Sequence, residues 1–143
     1  MVLYARDIVA KEFVSLPKGT SALEAARHMI EKKHGFVVVV SSDGRPEGMV
    51  TEWDYVSRLV AEGRDPARTT LGEMMTQELV TVKASDGIDQ VAKVMSEKRI
   101  RRVLVTDDGK VVGVVTSRTL VGNLNEYVDR ISSQIARLQG PPF

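Results

Sequence analysis

Apolar positions in this chain follow two alternating rhythms. "FVVVV" (Phe36–Val40) and "VLV" (Val103–Val105) are unbroken apolar runs, the pattern of strands buried on both faces. Ahead of each lies a helical period. Ala22, Ala25, Ala26, Met29 and Ile30 form one apolar face, and Ile88, Val91, Ala92 and Met95 form the other. Ser21 and Glu24 stand at capping-box spacing before the first helix. A brief apolar strand precedes each helix ("FVSL", "LVTV"), and a short opening turn precedes each strand ("ARDIV", "LGEMM"). After the apolar runs, the turn signals "SSDGRP" and "DDGK" lead into "EGMV" and "VVGVV", and a second helix closes the unit. The order is β-α-β-β-α, twice.

The two units are copies. At an offset of 66 residues Val14 meets Val80, Ala26 meets Ala92, Met29 meets Met95 and Val37 meets Val103. The first copy has one extra residue near Arg45–Glu47, after which the offset is 65: Gly48 meets Gly113, Thr51 meets Thr116 and Val56 meets Val121. The repeats span 4–63 and 70–125, with a linker at 64–69 inside the Gly/Pro/charge-rich join "AEGRDPARTT" and a C-terminal helix at 126–139. A unit of ~60 residues buries little core alone. The expected architecture is therefore α/β (α+β), two repeats packed sheet to sheet about a pseudo-twofold axis, with a cleft between them. In the tail, Leu124, Val128, Ile131, Ile135 and Leu138 step by 4, 3, 4, 3. That stripe either packs onto its own domain or meets a second chain, and Gly140-Pro141-Pro142 ends the helix.

Composition narrows the function classes. The chain is 43% hydrophobic and 27% charged, and Lys plus Arg (20) nearly balance Asp plus Glu (19), so bulk charge favours neither nucleic acid nor anionic membrane. With no cysteine, disulfides and thiolate metal sites are excluded. The charged N-terminus and the lack of a long apolar run predict a cytoplasmic protein with no membrane partner. His28 and His34 are six apart and share no helix face, which argues against a metal pair. No nucleophile elbow, Walker loop or dinucleotide fingerprint occurs, so the expectation is a protein that is not an enzyme.

Two features carry chemistry. "KRIRR" places Lys98, Arg99, Arg101 and Arg102 just before a buried strand, where Arg forks can turn toward phosphate or simply solvate a helix end. "GMVTEWD" (Gly48–Asp54) puts Thr51 and Asp54 at capping-box spacing. An ionised Asp there also offers two acceptor oxygens to vicinal hydroxyls. The near copy "GVVTSRT" keeps Thr116 and has Thr119 in place of the acid.

A doubled β-α-β-β-α unit whose third strand runs into Gly-apolar-apolar-Thr-x-x-Asp resembles the tandem CBS (cystathionine β-synthase) domain. The resemblance covers about residues 4–125. It implies two pseudo-symmetric clefts for adenosine ligands (AMP, ADP, ATP or S-adenosylmethionine), pairing of modules into a disc-like homodimer, and regulation of another protein. Carried onto this chain, it places Asp54 on the ribose hydroxyls of the first cleft and Thr51 on ribose or phosphate. Met49, Trp53 and His34-Gly35-Phe36 line the base, with Leu79, Val80 and Met74 contributed by the other repeat. The second cleft centres on Thr116, with Arg101 and Arg102 facing phosphate and Phe13 and Val14 opposite. Arg118 reaches toward a neighbouring protomer, and Thr119 breaks the pattern.

The expectation is thus a stand-alone regulatory module sensing an adenine nucleotide, AMP first, and acting on an effector protein in a separate chain. The alternatives are a nucleic-acid-associated protein using Lys98–Arg102, disfavoured by the scarcity of aromatics for base stacking, and a structural dimerisation module with vestigial clefts.

Overall fold

Each apolar run becomes the middle strand of a three-stranded sheet. The structure, a computed structural model, describes residues 3–139, so the helix stop expected at Gly140-Pro141-Pro142 lies outside the described residues. In the first repeat β1 (Val14–Leu16) runs parallel to β2 (Phe36–Val40), which pairs antiparallel with β3 (Pro46–Thr51). The second repeats this order with β4 (Thr81–Lys83), β5 (Arg102–Asp107) and β6 (Lys110–Thr116). A parallel pair needs a crossover, supplied by α2 (Ala22–Lys32) and α5 (Ile88–Lys98). The Ser21 hydroxyl caps α2 by accepting the Glu24 N–H at 3.1 Å. Both helices end on a left-handed residue, Lys33 and Arg99, so the repeat extends to the caps. The extra residue of the first copy sits in its hairpin loop, whereas the second hairpin turns on Asp108-Gly109, both at positive φ as a two-residue turn requires.

Alternation along the middle strands builds two kinds of core. Val37 and Val39 pack with Ala22, Ala25 and Met29 of α2, as Val103 and Val105 do with Val91 and Met95 of α5. The intervening residues face the other sheet: Phe36, Val38, Leu104 and Val114 form a shared cluster with Phe13, Met49 and Leu79 at its margin. The two repeats therefore pack sheet to sheet. Ile30, expected on the buried face of α2, is 77% exposed. At about 100° per residue it falls at the edge of the apolar stripe, beside the void at the end of the helix.

The opening segments cross over. α1 (Ala5–Ile8) buries Ala5 and Ile8 in the core of the second repeat, and α4 (Leu71–Met74) buries Leu71 and Met74 in that of the first. Backbone bonds fasten each crossing. Ala10 and Val114 exchange N–H···O bonds of 3.0 Å each, and Thr76 and Met49 exchange bonds of 2.9 and 3.0 Å. This explains the glycine of both "GMVT" and "GVVT". A Cβ on Gly113 would strike the Val9 side chain and lie 2.5 Å from the Ala10 carbonyl oxygen, while on Gly48 it would lie 2.5 Å from Met75 Sδ.

The second helices differ. α3 (Glu52–Asp54) runs on as a π-helical stretch, Tyr55–Val60, whereas α6 (Ser117–Gln139) is a 23-residue α-helix that passes straight through Gly122. The second helix of the repeat and the C-terminal helix are thus one element. Its apolar stripe does not fold back on the domain, since Leu124, Val128, Ile135 and Leu138 are all exposed.

The two glycines give unequal predictions. Gly113→Ala meets backbone, which cannot swing aside, and should destabilise by ~1–3 kcal/mol in a urea titration. Gly48→Ala meets a flexible thioether and should lose clearly less under identical conditions. Equal losses would contradict a steric origin in the crossing segments.

Candidate functional site

The crossing of α4 leaves a cleft of about 290 Å³ between the sheets, lined by Met49, Thr51, Trp53, Asp54, Thr76, Glu78, Leu79, Val80, Ile100, Arg102 and Leu104. Its walls come from both repeats. The end of β3 and the start of α3 supply one, and the segment before β4 and the start of β5 supply the other. Apolar side chains floor the cleft, and charges sit at its edges: the Asp54 carboxylate on one side, Arg102 and Glu78 on the other.

Asp54 is buried, yet it is held by a local frame. The Thr51 N–H donates to its Oδ2 at 2.8 Å and the Thr51 hydroxyl donates to the same oxygen at 3.2 Å. The other oxygen, Oδ1, faces Arg58 Nε at 3.6 Å, one turn along the helix. Arg58 also donates through Nη1 to the Met74 carbonyl at 2.8 Å and the Met75 carbonyl at 3.2 Å. One guanidinium therefore joins the carboxylate to the C-terminal end of α4. Tyr55 braces the same stretch by donating to the Ala22 carbonyl at 2.6 Å, and burial pushes the pKa of its hydroxyl up to about 12.

The second repeat is built differently at the equivalent points. Thr116 and Thr119 share a hydroxyl–hydroxyl bond of 2.8 Å, and the Thr119 N–H donates to Thr116 Oγ1 at 3.1 Å. Asn123 stands where Arg58 would be and donates to the Thr119 carbonyl at 2.8 Å, within its own helix. In the two hairpins Phe36 pairs with Thr51 and Arg102 with Thr116, so Phe36 is the counterpart of Arg102. The first cleft thus holds both the acid and the arginine, and at the equivalent positions of the other repeat stand threonine and phenylalanine.

Of the residues singled out from sequence, Met49, Thr51, Trp53, Asp54, Leu79 and Val80 come together here. Several others are corrected. Met74 is fully buried in the core of the first repeat and faces no cleft. His34 and Gly35 line a separate hollow between α2 and α3. Phe36 is buried between the sheets, with the His34 ring against its edge at 5.9 Å. Arg102, expected in the second cleft, lines the first, its guanidinium 5.0 Å above the Phe36 ring. Val103 and Val105 occupy the helix side of β5, so Arg102 and Leu104 must look at the opposite sheet. Arg101 is exposed, and so is Arg118 at the start of α6, where it remains free to reach a neighbouring molecule. Of the two residues placed opposite them, Val14 is buried under α2 and Phe13 edges the inter-sheet cluster.

Thr76, Glu78, Ile100 and Leu104 were missed. The same alternation that aims Arg102 aims Leu104, Ile100 sits just before the strand at the border of the cleft and the second repeat's core, and the offset of 66 pairs Thr76 with Ala10. Among the described residues, no three His, Cys, Asp or Glu side chains cluster as metal ligands, and no helix is long and apolar enough to cross a membrane.

Comparison with known proteins gives the family and the fold. The CBS domain model matches residues 5–61 and again 71–126. Hypoxic response protein 1 of Mycobacterium tuberculosis is 32% identical, the match covering 86% of each chain. A homoserine O-acetyltransferase of Methanohalobium evestigatum is 35% identical over 87% of this chain, which spans only 24% of that enzyme. Among solved structures, the CBS domain pair of protein MJ0100, in complex with 5′-methylthioadenosine and S-adenosyl-L-methionine, superposes with a TM-score of 0.76 at 28% identity, covering 89% of this chain and 99% of that one.

The Arg58 bridge is testable without a ligand. Arg58→Ala removes the donor to the Met74 and Met75 carbonyls, the first of them part-buried, along with the ion pair to buried Asp54, and should cost ~1–3 kcal/mol in chemical denaturation. Asn123→Ala removes one bond inside a helix and should cost under ~1 kcal/mol. The reverse order would contradict the bridge.

Proposed function

The chain belongs to the CBS domain family, and on that premise we propose that its first cleft binds an adenine nucleotide, AMP before ADP or ATP, as a regulatory ligand and not as a substrate. The observation that carries this reading is the pairing of Asp54 and Arg102 across one apolar slot. The slot, floored by Met49, Leu79, Val80, Ile100 and Leu104, suits a flat base. Asp54 offers acceptor lone pairs to two vicinal ribose hydroxyls, and its loose contact with Arg58 at 3.6 Å is one that hydroxyl donors can outcompete. Arg102 suits a phosphate oxygen pair. The two adenosine compounds in complex with the MJ0100 domain pair support the ligand class.

Regulation follows from differential binding. A ligand on Asp54 loosens its hold on Arg58, and Arg58 holds the end of α4. Occupancy of the cleft is thereby linked to the seating of a segment from the other repeat. The protein would pass that change to a separate effector protein in the cytoplasm, through a surface that moves with α4.

A specific feature favours a second ligand. Glu78 adds a carboxylate to the cleft, which opposes phosphate and suits the sulfonium and amino charges of S-adenosylmethionine. The nucleic-acid alternative is weakened because Arg102, a member of the basic cluster, turns into the cleft and lies over Phe36.

Calorimetry separates these readings. AMP should bind, Asp54→Ala should weaken it by ~10–100-fold, the worth of a charged hydrogen-bond pair, and Arg102→Ala should weaken AMP but not adenosine. Unchanged AMP affinity in Asp54→Ala sinks the ribose role. Binding of S-adenosylmethionine but not AMP, lost in Glu78→Gln, moves the assignment to the second ligand. Binding of no adenosine compound leaves a structural module.

A further inference from the structure

Phe36 and Arg102, counterparts in the two repeats, touch each other. Each pairs across its hairpin with the threonine that opens the following helix, Phe36 with Thr51 and Arg102 with Thr116. Equivalent residues of a twofold pair meet only beside the axis that relates them. Here the Arg102 guanidinium lies 5.0 Å over the centre of the Phe36 ring. The ring itself is held in place. It is 6% exposed, packs with Val38, Leu104 and Val114 between the sheets, and has the His34 ring against it at 85°.

That ring is the guanidinium's one partner. Among the described residues, Arg102 makes no hydrogen bond and no ion pair. Yet Asp54 and Glu78 line the same cleft of about 290 Å³. A long cation beside carboxylates ordinarily folds onto one of them, and the carboxylate then occupies its N–H fork. An aromatic face competes for the cation differently. Attraction comes from the ring quadrupole, and the N–H groups stay available to an acceptor in the cleft. An aliphatic residue at position 36 would fill the core and supply none of this attraction.

We propose that Phe36 is the positioning residue for Arg102, holding the guanidinium on the wall of the first cleft, clear of Glu78 and Asp54, with its donors free for an incoming phosphate. This role rests on the reading that Arg102 takes the phosphate of a bound nucleotide. Phe36 then sets specificity through Arg102: it favours adenosine ligands that carry phosphate over those that do not.

Two variants of the full chain test the role. Phe36→Leu keeps an apolar core residue and removes the ring. Pentafluorophenylalanine at position 36 keeps the shape and reverses the charge of the ring face, so it separates attraction from packing even where the leucine chain does not fold. In the ligand-free wild type, the ring should shift the Arg102 side-chain proton resonances upfield, and Phe36→Leu should abolish that shift. In calorimetry either variant should weaken AMP ~3–30-fold, the worth of a cation–π contact, and leave adenosine unchanged. In an Arg102→Ala chain neither should weaken AMP further. An AMP-to-adenosine ratio unmoved by both variants, equal losses of the two ligands, or Arg102 resonances without the upfield shift would each overturn the role alone. A wild type that binds no AMP overturns the nucleotide reading and the role with it.

Discussion

The fold depends on one exchange: the opening segment of each repeat is seated in the other. Four main-chain hydrogen bonds, two at Ala10–Val114 and two at Thr76–Met49, extend the outer strand of each sheet with a piece of the opposite repeat. Behind them, Ala5 and Ile8 fill one core while Leu71 and Met74 fill the other. Neither repeat has a complete core of its own, which accords with the small apolar volume of a ~60-residue unit. The glycine before each Thr-x-x segment is the steric condition for this exchange. The same crossing forms the cleft, because the chain leaving Thr76 must pass over Met49 and Thr51 to reach β4.

Symmetry of the frame does not carry over to the chemistry. Backbone pairs, caps and middle strands recur at fixed offsets, and three polar positions do not. Asp54 corresponds to Thr119, Arg58 to Asn123, and Arg102 to Phe36. All three charged members gather around the first cleft, and the first two are in contact, Asp54 Oδ1 lying 3.6 Å from Arg58. The carboxylate best placed for a ligand is therefore also a structural anchor, through Arg58, for the crossing segment. A site of this kind couples binding to packing without needing a hinge elsewhere. Among the described residues, the π-helical stretch that carries Arg58 occurs in the first repeat alone, where the bridge is made.

Much of the frame was legible in sequence because it rests on local periodicity. The duplication, the buried middle strands, the cap at Ser21 and the frame linking Thr51 to Asp54 all follow from spacing. The crossing was not legible, since α1 and α4 are four residues each and nothing in them says which core they enter. The cleft was half legible. The residues along "GMVTEWD" were identified, but His34 and Gly35 were put on the wrong side of the sheet and Arg102 in the wrong cleft. Both errors have one origin: a strand's two faces are known from alternation, but which face meets the other sheet depends on where α2 and α5 pack. Met74 misled because its neighbourhood in sequence is the cleft wall, while its side chain turns into the core. The helix through Gly122 was read as two elements, since a glycine there is a modest cost on an exposed face and not a stop.

The proposed regulation stands on Asp54 and Arg102 acting on one ligand from opposite walls. A crystal structure of the full chain grown with AMP tests this most directly. The expected result is one nucleotide per chain in the first cleft, its ribose hydroxyls on the Asp54 carboxylate and its phosphate at Arg102, with the Thr119 cleft empty. Nucleotide held at Thr119 with the Asp54 cleft empty would contradict it.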